Sequence, residues 1–333
     1  MDNASTAPHV CGMAIDTDIV IAGGGLNGTT LAVALASAGF DVTLVDPRPT
    51  TTRAAADFDG RGYAMSIASC RVLQALDIWP SLADGAQPIL DIKVSDGRTG
   101  QAPSPFVLSF DHAEIEEGPM GHLVEDRHLR PALLDAVASR GVTHRDGDSI
   151  TSHTSENGGV TVSLDSGETL RARVLVGCDG KTSAVARRAG IQRTGWRYGQ
   201  SSLVCAVAHE HPHRGTAHQL FLENGPLAIL PMTGNRAGIV WTERSDTASD
   251  IHAMDDDGYL AALQPRFGDF LGAIELIGQR GLFPLELSIA NNFVGDRLAL
   301  LGDAAHAVHP IAGQGLNAGL KDVAALSQVL TDA

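Results

Sequence analysis

The hydrophobic pattern near the start of the chain is a short apolar run that leads directly into glycines. Residues 19–22 are Ile, Val, Ile and Ala, and Gly23 follows them. A helical stretch rich in Ala, Leu and Val then runs from Thr29 to Gly39, and a second apolar run ends at Asp46. A buried strand, a helix and a second buried strand in this order predict a βαβ unit with parallel strands.

The glycines of this unit follow the pattern G-x-G-x-x-G, at Gly23, Gly25 and Gly28. In a dinucleotide-binding unit the first glycine allows a tight turn, the second lets the backbone approach a pyrophosphate, and the third lets helix pack on strand. The N–H groups at the start of the helix favour an anion. Asp46 ends the second strand, where it can accept a hydrogen bond from a ribose hydroxyl. The unit predicts a dinucleotide site and leaves NAD, NADP and FAD open.

Alternating apolar and polar positions in the rest of the chain predict short strands separated by turns. They lie at 89–94, 106–110, 201–208, 217–222, 227–232 and 237–243, and one amphipathic helix follows at about 257–267. We therefore predict an α/β fold with a Rossmann-like domain built on a parallel sheet and an inserted domain built on an antiparallel β-sheet.

The same patterns give the domain boundaries. Residues 1–16 are expected to form a disordered leader. The Rossmann-like domain is expected to be discontinuous and to consist of residues 17–88, 118–190 and 288–333. The second domain is expected to consist of residues 89–117 and 191–287. Within the first, Asp126 is expected to cap a helix from Arg127 to Arg140.

Two later segments repeat the arrangement of a strand followed by an acid. The strand 169–176 precedes Asp179-Gly180, and the strand 297–301 precedes Gly302-Asp303. A glycine-rich turn, 310–317, then leads into a helix that runs to the last residue. Ligands bind at the carboxyl ends of strands in open α/β sheets, so both acids are candidate ligand contacts. Asp179 could equally be an ordinary turn and helix-capping residue.

Composition excludes several classes of function. The formal charge of −15 opposes binding to nucleic acid. No apolar run approaches the roughly 20 residues of a transmembrane helix, and residues 1–17 contain no Lys or Arg, unlike a signal peptide. These observations favour a cytoplasmic protein.

The cysteines and one histidine cluster carry no predicted chemistry of their own. Cys11, Cys70, Cys178 and Cys205 form no C-x-x-C and are interpreted as reduced packing residues. The histidines at 209, 211 and 213 alternate, but no thiol or carboxylate cluster accompanies them. We interpret them as a solvated strand end and predict no metal.

The motifs together resemble a known family. Gly23-x-Gly25-x-x-Gly28, Asp179-Gly180 and Gly302-Asp303 are similar to the three cofactor motifs of class A flavoprotein aromatic hydroxylases, the group that includes para-hydroxybenzoate hydroxylase. Further segments resemble the ubiquinone-biosynthesis branch, the polyprenyl-methoxyphenol hydroxylases: 59–66 (DGRGYAMS), 125–129 (EDRHL), 225–231 (GPLAILP) and 309–317 (HPIAGQGLN). The resemblance extends from about residue 17 to the end of the chain.

The resemblance implies FAD as the cofactor and names its contacts. The AMP half would lie on the first glycine loop and Asp46, and Asp303 on the ribityl chain. Arg61 could reach the ribose and pyrophosphate, or it could be a solvated surface arginine. The full set of implied FAD contacts is Gly23, Gly25, Leu26, Asn27, Gly28, Asp46, Arg48, Arg61, Arg127, Asp179, Gly302, Asp303, Pro310, Gly313, Gly315, Leu316 and Asn317.

The substrate side is less defined by the motifs. Leu230 and Pro231 are implied to form part of the cavity wall. No catalytic base follows from the sequence; His309, beside the glycine-rich turn, is considered as one, with a structural role in that turn as the alternative. Family members continue into further C-terminal helices, so part of the cavity is expected to come from beyond Ala333.

The activity implied by the resemblance is that of an FAD-dependent monooxygenase. It would use NAD(P)H and O2 to hydroxylate a polyprenylated phenol in ubiquinone biosynthesis through a C4a-hydroperoxyflavin. The alternatives are a flavoprotein reductase or oxidase of isoprenoid lipids, a hydroxylase of soluble aromatic compounds outside the quinone pathway, and a flavin-bearing scaffold without catalysis. Such a substrate also suggests peripheral contact with the inner face of the membrane, or with a quinone-biosynthesis complex.

Overall fold

The computed structural model describes residues 14–53, 57–100, 104, 106–156 and 158–333. Most of the predicted leader lies outside these residues. The strands, in chain order, are β1 (Thr17–Ala22), β2 (Val42–Asp46), β3 (Gly62–Ser66), β4 (Gln87–Ile89), β5 (Asp91–Asp96), β6 (Leu108–Asp111), β7 (Gly121–Glu125), β8 (Thr143–Asp146), β9 (Ile150–Glu156), β10 (Gly159–Leu164), β11 (Thr169–Gly177), β12 (Arg193–His209), β13 (Thr216–Leu222), β14 (Gly225–Met232), β15 (Arg236–Arg244), β16 (Ile274–Ala290), β17 (Val294–Gly295), β18 (Leu298–Leu300) and β19 (His306–Ala307).

The α-helices pack on these strands. They are α1 (Leu26–Ser37), α2 (Thr50–Arg53), α3 (Ile67–Ala75), α4 (Asp126–Ser139), α5 (Ala184–Arg188), α6 (Ser245–His252), α7 (Asp256–Phe267) and α8 (Gln314–Asp332). Among the described residues, none of these helices is both long and apolar enough to span a bilayer.

The first sheet has the strand order β17-β18-β11-β1-β2-β8. The neighbours from β18 to β8 pair in parallel, while β17 and the β9–β10 hairpin add antiparallel strands. All five residues of β2 are buried, as expected for a central strand of a parallel sheet covered on both faces. The predicted Rossmann-like parallel sheet is confirmed.

Helices from distant parts of the chain cover one face of this sheet. Leu31 and Leu35 of α1, Leu133 of α4, and Leu320 and Val323 of α8 belong to a single buried cluster with its strands. The last helix therefore lies beside the first, although nearly the whole chain separates them. This return brings the two glycine-rich turns, 23–28 and 313–315, to the same part of the molecule.

The second sheet has the order β19-β16-β12-β15-β14-β13-β5-β6. The predicted antiparallel sheet of the inserted domain is confirmed; the described neighbours are antiparallel except β13 and β5, which pair in parallel. The chain reaches β13 from β5 through the rest of the molecule rather than through a hairpin, and such a connection permits the parallel direction. Helices α6 and α7 cover one face, where Trp241, Tyr259 and Phe267 are almost fully buried.

Several elements differ from the sequence prediction. Helix α6 was not predicted, and β16 is a 17-residue strand that runs three residues past the predicted boundary at 287. The division into domains at the stated boundaries stays a prediction.

A third sheet has the order β3-β7-β4, and its strand β7 leads into α4. The prediction that Asp126 caps this helix through its side chain is wrong. Glu125 is the N-cap residue and makes no side-chain cap. The Asp126 carboxylate instead accepts hydrogen bonds from Tyr63 Oη, at 2.8 Å, and from Arg130 Nη2, at 2.8 Å. Burial and this carboxylate raise the pKa of Tyr63.

Candidate active site

A cavity of about 730 Å³ lies at the carboxyl ends of the parallel strands. It is lined by residues at or just after the ends of four strands: Ala22 of β1, Val45 and Asp46 of β2, Cys178 and Asp179 after β11, and Leu301 after β18. This edge is where open α/β sheets bind ligands, because the loops that leave the strands leave a crevice between them.

The three glycines of the first loop occupy three different environments. Gly23 has φ of +103°, and a Cβ there would lie 2.5 Å from the carbonyl oxygen of Cys178. A Cβ on Gly28 would lie 1.9 Å from the carbonyl oxygen of Gly23. A Cβ on Gly25 would meet no protein atom within 4 Å. Gly23 and Gly28 are thus needed for packing, whereas Gly25 leaves space for a ligand.

Two helix N-termini meet at this cavity. Helix α1 follows Gly25 and α8 follows Gly313, and neither start has a side-chain cap. Leu26 and Asn27 at the start of α1, and Gly315 and Leu316 at the start of α8, line the cavity. Because the first N–H groups of a helix have no partner within the helix, they form a binding site for negative charge. Gly313 has φ of +61°, which gives the sharp turn into α8.

Asp46 holds the first loop in place. Its side chain is 3% exposed; Oδ2 accepts a hydrogen bond from the N–H of Gly24 at 2.5 Å, and Oδ1 accepts one from the N–H of Arg48 at 2.8 Å. Both carboxylate oxygens therefore fix the backbone that borders the cavity at Gly24 and Arg48. Arg48 also lines the cavity.

Asp179 caps a helix, which was the alternative considered for it. Oδ2 accepts hydrogen bonds from the N–H groups of Ala184 and Val185, at 2.7 and 3.1 Å, and Oδ1 accepts one from Ser183 Oγ. Asp179 nevertheless lines the cavity, as does Gly180. The two interpretations are therefore compatible, since the carboxylate fixes the loop whose backbone borders the cavity.

Asp303 lines the cavity beside a residue that the sequence analysis missed. Burial raises the pKa of Asp303. Asp322, on α8, accepts the N–H of Gly302 at 3.0 Å, and its Oδ2 lies 2.6 Å from His306 Nε2. This hydrogen bond raises the pKa of His306. Asp322 thereby fixes both ends of the turn that contains Asp303, and no motif in the sequence marks it.

Arg61 and Arg127, unlike Arg48, do not line the cavity. Arg61 Nε lies 2.6 Å from Asp59 Oδ2, and its Nη2 lies 3.0 Å from Asp126 Oδ2. Arg127 Nε lies 2.7 Å from Glu125 Oε2. Both guanidinium groups are thus held by carboxylates, and their contact with a cofactor stays a prediction.

Asn317 and Asn27 act through their side chains. Asn317 is 3% exposed and donates through Nδ2 to the carbonyl oxygens of Ala64 and Gly313, each at 2.8 Å. The side chain of Asn27 fills the space beside Gly302 and Gly319, where a Cβ would lie 2.3 and 2.2 Å from its Nδ2. Asn27 lines the cavity, whereas Asn317 holds the turn that leads into α8. Pro310 is the N-cap of the short 3-10 turn before α8.

His309 has the contacts of a structural residue. Its Nδ1 accepts the N–H of Ile311 at 3.2 Å, and its ring packs edge-on against Tyr198 with centroids 5.3 Å apart. Burial lowers the pKa of His309. These contacts favour the structural alternative over the base.

The implied substrate residues lie in an apolar cluster next to the glycine-rich turn. Leu230 packs against buried Leu123, Ala206 and Met232, and Ala64 belongs to the same cluster. A Cβ on Gly313 would lie 3.4 Å from that of Ala64, so the cluster adjoins the start of α8. Pro231 is buried beside Leu230.

The interpretation of the histidine cluster as a solvated strand end holds for His211, which is exposed, and is wrong for His209. His209, the last residue of β12, is 6% exposed, and its Nδ1 lies 2.8 Å from the carbonyl oxygen of His211. His213 is half-buried and accepts the N–H of Gly215 through Nδ1. The rings of His209 and His213 pack edge-on, with centroids 5.6 Å apart.

The described residues also contain three cysteines and one cluster of two aspartates and a histidine. Cys70, Cys178 and Cys205 are free thiols, while Cys11 lies outside the described residues. Asp91, Asp111 and His112 have ligand-type atoms within 4.8 Å of one another, on the β5–β6 pair away from the cavity.

Comparison with known proteins identifies the family. A family model described as an FAD binding domain matches residues 16–333. The chain belongs to this FAD-binding family. Ubiquinone hydroxylase UbiL of Rhodospirillum rubrum is 44% identical over 317 residues, which cover 95% of this chain and 72% of the relative. The 3-demethoxyubiquinol 3-hydroxylase of Escherichia coli is 34% identical over 320 residues, 95% of this chain and 80% of the relative. The predicted ubiquinone-biosynthesis branch of the class A flavin hydroxylases is confirmed.

Solved structures show the same fold for this FAD-binding protein. PqsL of Pseudomonas aeruginosa has a TM-score of 0.76 at 23% identity, over 94% of this chain and 85% of that one. The predicted cofactor, FAD, follows from the family.

The cavity residues fit FAD. Two uncapped helix N-termini suit its anionic pyrophosphate and the electron-rich edge of its ring. The open space over Gly25 and Gly315, where a Cβ would meet nothing within 4 Å, permits close approach to the backbone.

Proposed function

We propose that this protein is an FAD-dependent monooxygenase that uses NAD(P)H and O2 to hydroxylate the ring of a polyprenylated phenol in ubiquinone biosynthesis. The observation that carries the proposal is the match of nearly the whole chain to UbiL, at 44% identity. The family match, over residues 16–333, includes every segment that lines the cavity. The second relative, named for hydroxylation of demethoxyubiquinol, supports the same chemistry.

The residues around the cavity supply a binding role for each part of FAD. The AMP half would lie over Gly25 with its ribose at Asp46, and the pyrophosphate at the start of α1. Asp303 would accept a hydrogen bond from the ribityl chain. The flavin ring would lie at the start of α8, beside Gly315 and Leu316. This order follows the lining of the cavity from β2 to α8.

Bound FAD supplies the redox chemistry, because it takes hydride from NAD(P)H and activates O2 for transfer of one oxygen atom to the ring. The chain supplies orientation and electrostatics. The start of α8, which has no side-chain cap, would stabilise negative charge at the adjacent edge of the ring system through its N–H groups and the helix dipole. The apolar cluster around Leu230 excludes water from the side on which the phenol would bind.

The substrate also bears on location. A polyprenylated phenol partitions into lipid, so the proposal includes peripheral contact of a cytoplasmic protein with the inner face of the membrane, or with other enzymes of the pathway. Washing membranes with salt and detergent, followed by immunodetection of the protein, tests this part.

The test of the activity is quinone profiling in a strain that lacks the gene. Accumulation of a polyprenylphenol short of one ring hydroxyl supports the proposal and identifies the ring position. The purified protein with NAD(P)H and ¹⁸O2 should then place one labelled oxygen atom on that intermediate. An unchanged quinone pool, or turnover without label in the product, would contradict the proposal.

A further inference from the structure

A row of side chains crosses the second sheet on the face opposite α6 and α7. Cross-strand pairing places its members side by side, one per strand, from the centre of the sheet to its edge. The members are Val204, Val240, Ala228, Gln219, Val94 and Leu108, on β12, β15, β14, β13, β5 and β6. The pairings from β15 through β14, β13 and β5 to β6 contain no register shift, so the row is continuous across these strands.

The two faces of this sheet differ in cover. Residues adjacent to the row along each strand, such as Leu203, Leu227 and Ile239, are almost fully buried in the cluster under α6 and α7. The row members are all partly or largely exposed, and Leu108 is 58% exposed. Apolar side chains on a strand normally face a packed layer. Here the row has an apolar surface without a covering helix among the described residues.

A second row lies beside the first and reaches the site. Gly238 pairs with both Ala206 and Leu230, and further out Ile92 pairs with Ala217 and Phe110. Ala206 and Leu230 belong to the apolar cluster that adjoins the start of α8. The inner end of the two rows is therefore next to the proposed flavin position, and the outer end is the edge strand β6.

The shape of the rows is that of a shallow track. Small residues occupy its centre, and a Cβ on Gly238 would meet only Met232 Sδ, at 3.7 Å. Larger side chains, Leu108 and Phe110, stand at the edge and are 58% and 44% exposed. From Leu230 to β6 the track crosses three strand spacings, about 14 Å at about 4.8 Å each. None of the members of the two rows is charged.

We propose that this track binds the isoprenoid tail of the substrate, running from Leu230 outward to Leu108 and Phe110. The inference rests on the proposed function, since the tail belongs to the phenol that would be hydroxylated. A linear apolar chain matches a narrow uncharged track that begins at the ring site and ends at an exposed edge. Burial of its methylene groups against the rows supplies the binding energy.

The first test is a series of phenol substrates that differ only in the number of isoprene units. With the full-length protein, kcat/KM for ring hydroxylation should rise roughly threefold with each unit, less than for complete burial because one side of the tail stays open. The rise should level off once the tail passes β6. Equal kcat/KM values across the series would overturn the inference.

The second test uses variants along the track. Leu108→Glu should lower the ratio of kcat/KM for long-tailed to short-tailed substrate about tenfold, because a charge then faces the tail. Gly238→Val should lower the same ratio by filling the centre of the track. Ser109→Glu is the matched control: it adds the same charge on the same exposed strand, but on the opposite face beside Lys93. Its ratio should equal that of the wild type.

The outcomes separate this inference from the proposed function. Hydroxylation that persists with an unchanged ratio in both Leu108→Glu and Gly238→Val overturns the tail track and leaves the activity standing. No hydroxylation with any tail overturns both. If Leu108→Glu changes only the oligomeric state in gel filtration, the row is a contact with a second copy and the inference is wrong. Circular dichroism and flavin absorbance establish that each variant is folded.

Discussion

Asn317 Oδ1 accepts a hydrogen bond from the backbone N–H of Ser66 at 2.8 Å. The same oxygen accepts one from Ser69 Oγ at 2.6 Å. Ser66 is the N-cap of α3, and Asn317 lies in the first turn of α8. The side chain of Asn317 therefore joins the end of β3 to the glycine-rich turn that would carry the flavin.

Replacement of Asn317 by Ala should weaken both the fold and FAD binding. Four hydrogen bonds are lost in a buried position, and the freed backbone groups have no water to replace the partner. We expect the free energy of unfolding to fall by about 3 kcal/mol, measured by urea denaturation, with loss of flavin on gel filtration. Gln328→Ala, at an exposed position of the same helix, should change neither. A stable variant that keeps its flavin would contradict this role.

Gly25 and Gly28 should respond differently to an added side chain. Gly25→Val places its side chain in the open space of the cavity, so it should abolish flavin retention while lowering stability by no more than about 1 kcal/mol. Gly28→Ala forces a Cβ against the carbonyl oxygen of Gly23, and the loop cannot yield without losing the helix packing. That variant should unfold or lose at least about 4 kcal/mol.

Thermal unfolding of the two apo-variants, together with the flavin absorbance of each purified protein, measures this contrast. A yellow Gly25→Val protein would show that the loop does not approach the cofactor. A Gly28→Ala protein as stable as the wild type would show that the backbone there is free to move.

The contact between His306 and Asp322 predicts a pH-dependent contribution to stability. The carboxylate raises the folded-state pKa of His306 above its unfolded value. The contribution is therefore fully present below the unfolded pKa of about 6.5 and is lost as pH rises through the folded pKa. Urea denaturation of the wild type and Asp322→Asn should give a larger difference in unfolding free energy at pH 6 than at pH 9. A difference that grows with pH would contradict the assignment.

The sequence predicted the parts of the fold that local patterns determine. The run before Gly23 and the acid at Asp46 are consecutive features of one βαβ unit, so the parallel sheet and its ligand edge could be read directly. The position of α8 against α1 could be inferred only from repetition of the strand, acid and glycine pattern.

Contacts between distant polar residues could not be predicted in the same way. Asp126 precedes a helix and has the local pattern of a cap, but Tyr63 and Arg130 take its carboxylate. In the sequence Asp322 is an ordinary acid on an amphipathic helix. Its role follows only from the folded structure, where the N–H of Gly302 donates to its carboxylate. His209 was interpreted as solvated because the predicted strand ended at residue 208, one residue before the observed end of β12. For both acids one partner comes from another element, Tyr63 for Asp126 and Gly302 for Asp322, so tertiary contacts decide over local propensity.

Glu125 and Arg236 form a buried link between the start of α4 and the second sheet. Glu125 is 2% exposed, and its Oε1 lies 2.6 Å from Arg236 Nη2. Its other oxygen is held by Arg127, and both arginines lie over the ring of Phe58, at 5.1 and 5.2 Å. No motif marks Arg236, which follows a turn and begins β15.

Removal of Arg236 should be costly because it leaves a buried carboxylate with half of its charged partners. Arg236→Met keeps much of the apolar contact with Phe58, so the loss isolates the ion pair. We expect the free energy of unfolding to fall by about 3 kcal/mol, and the double variant Glu125→Gln/Arg236→Met to lose less than the sum of the two single changes. Arg244→Ala, which removes an exposed pair with Asp246 in the same sheet, should cost less than about 1 kcal/mol. Equal costs for Arg236→Met and Arg244→Ala in urea denaturation would show that the link to α4 contributes no more than a surface pair.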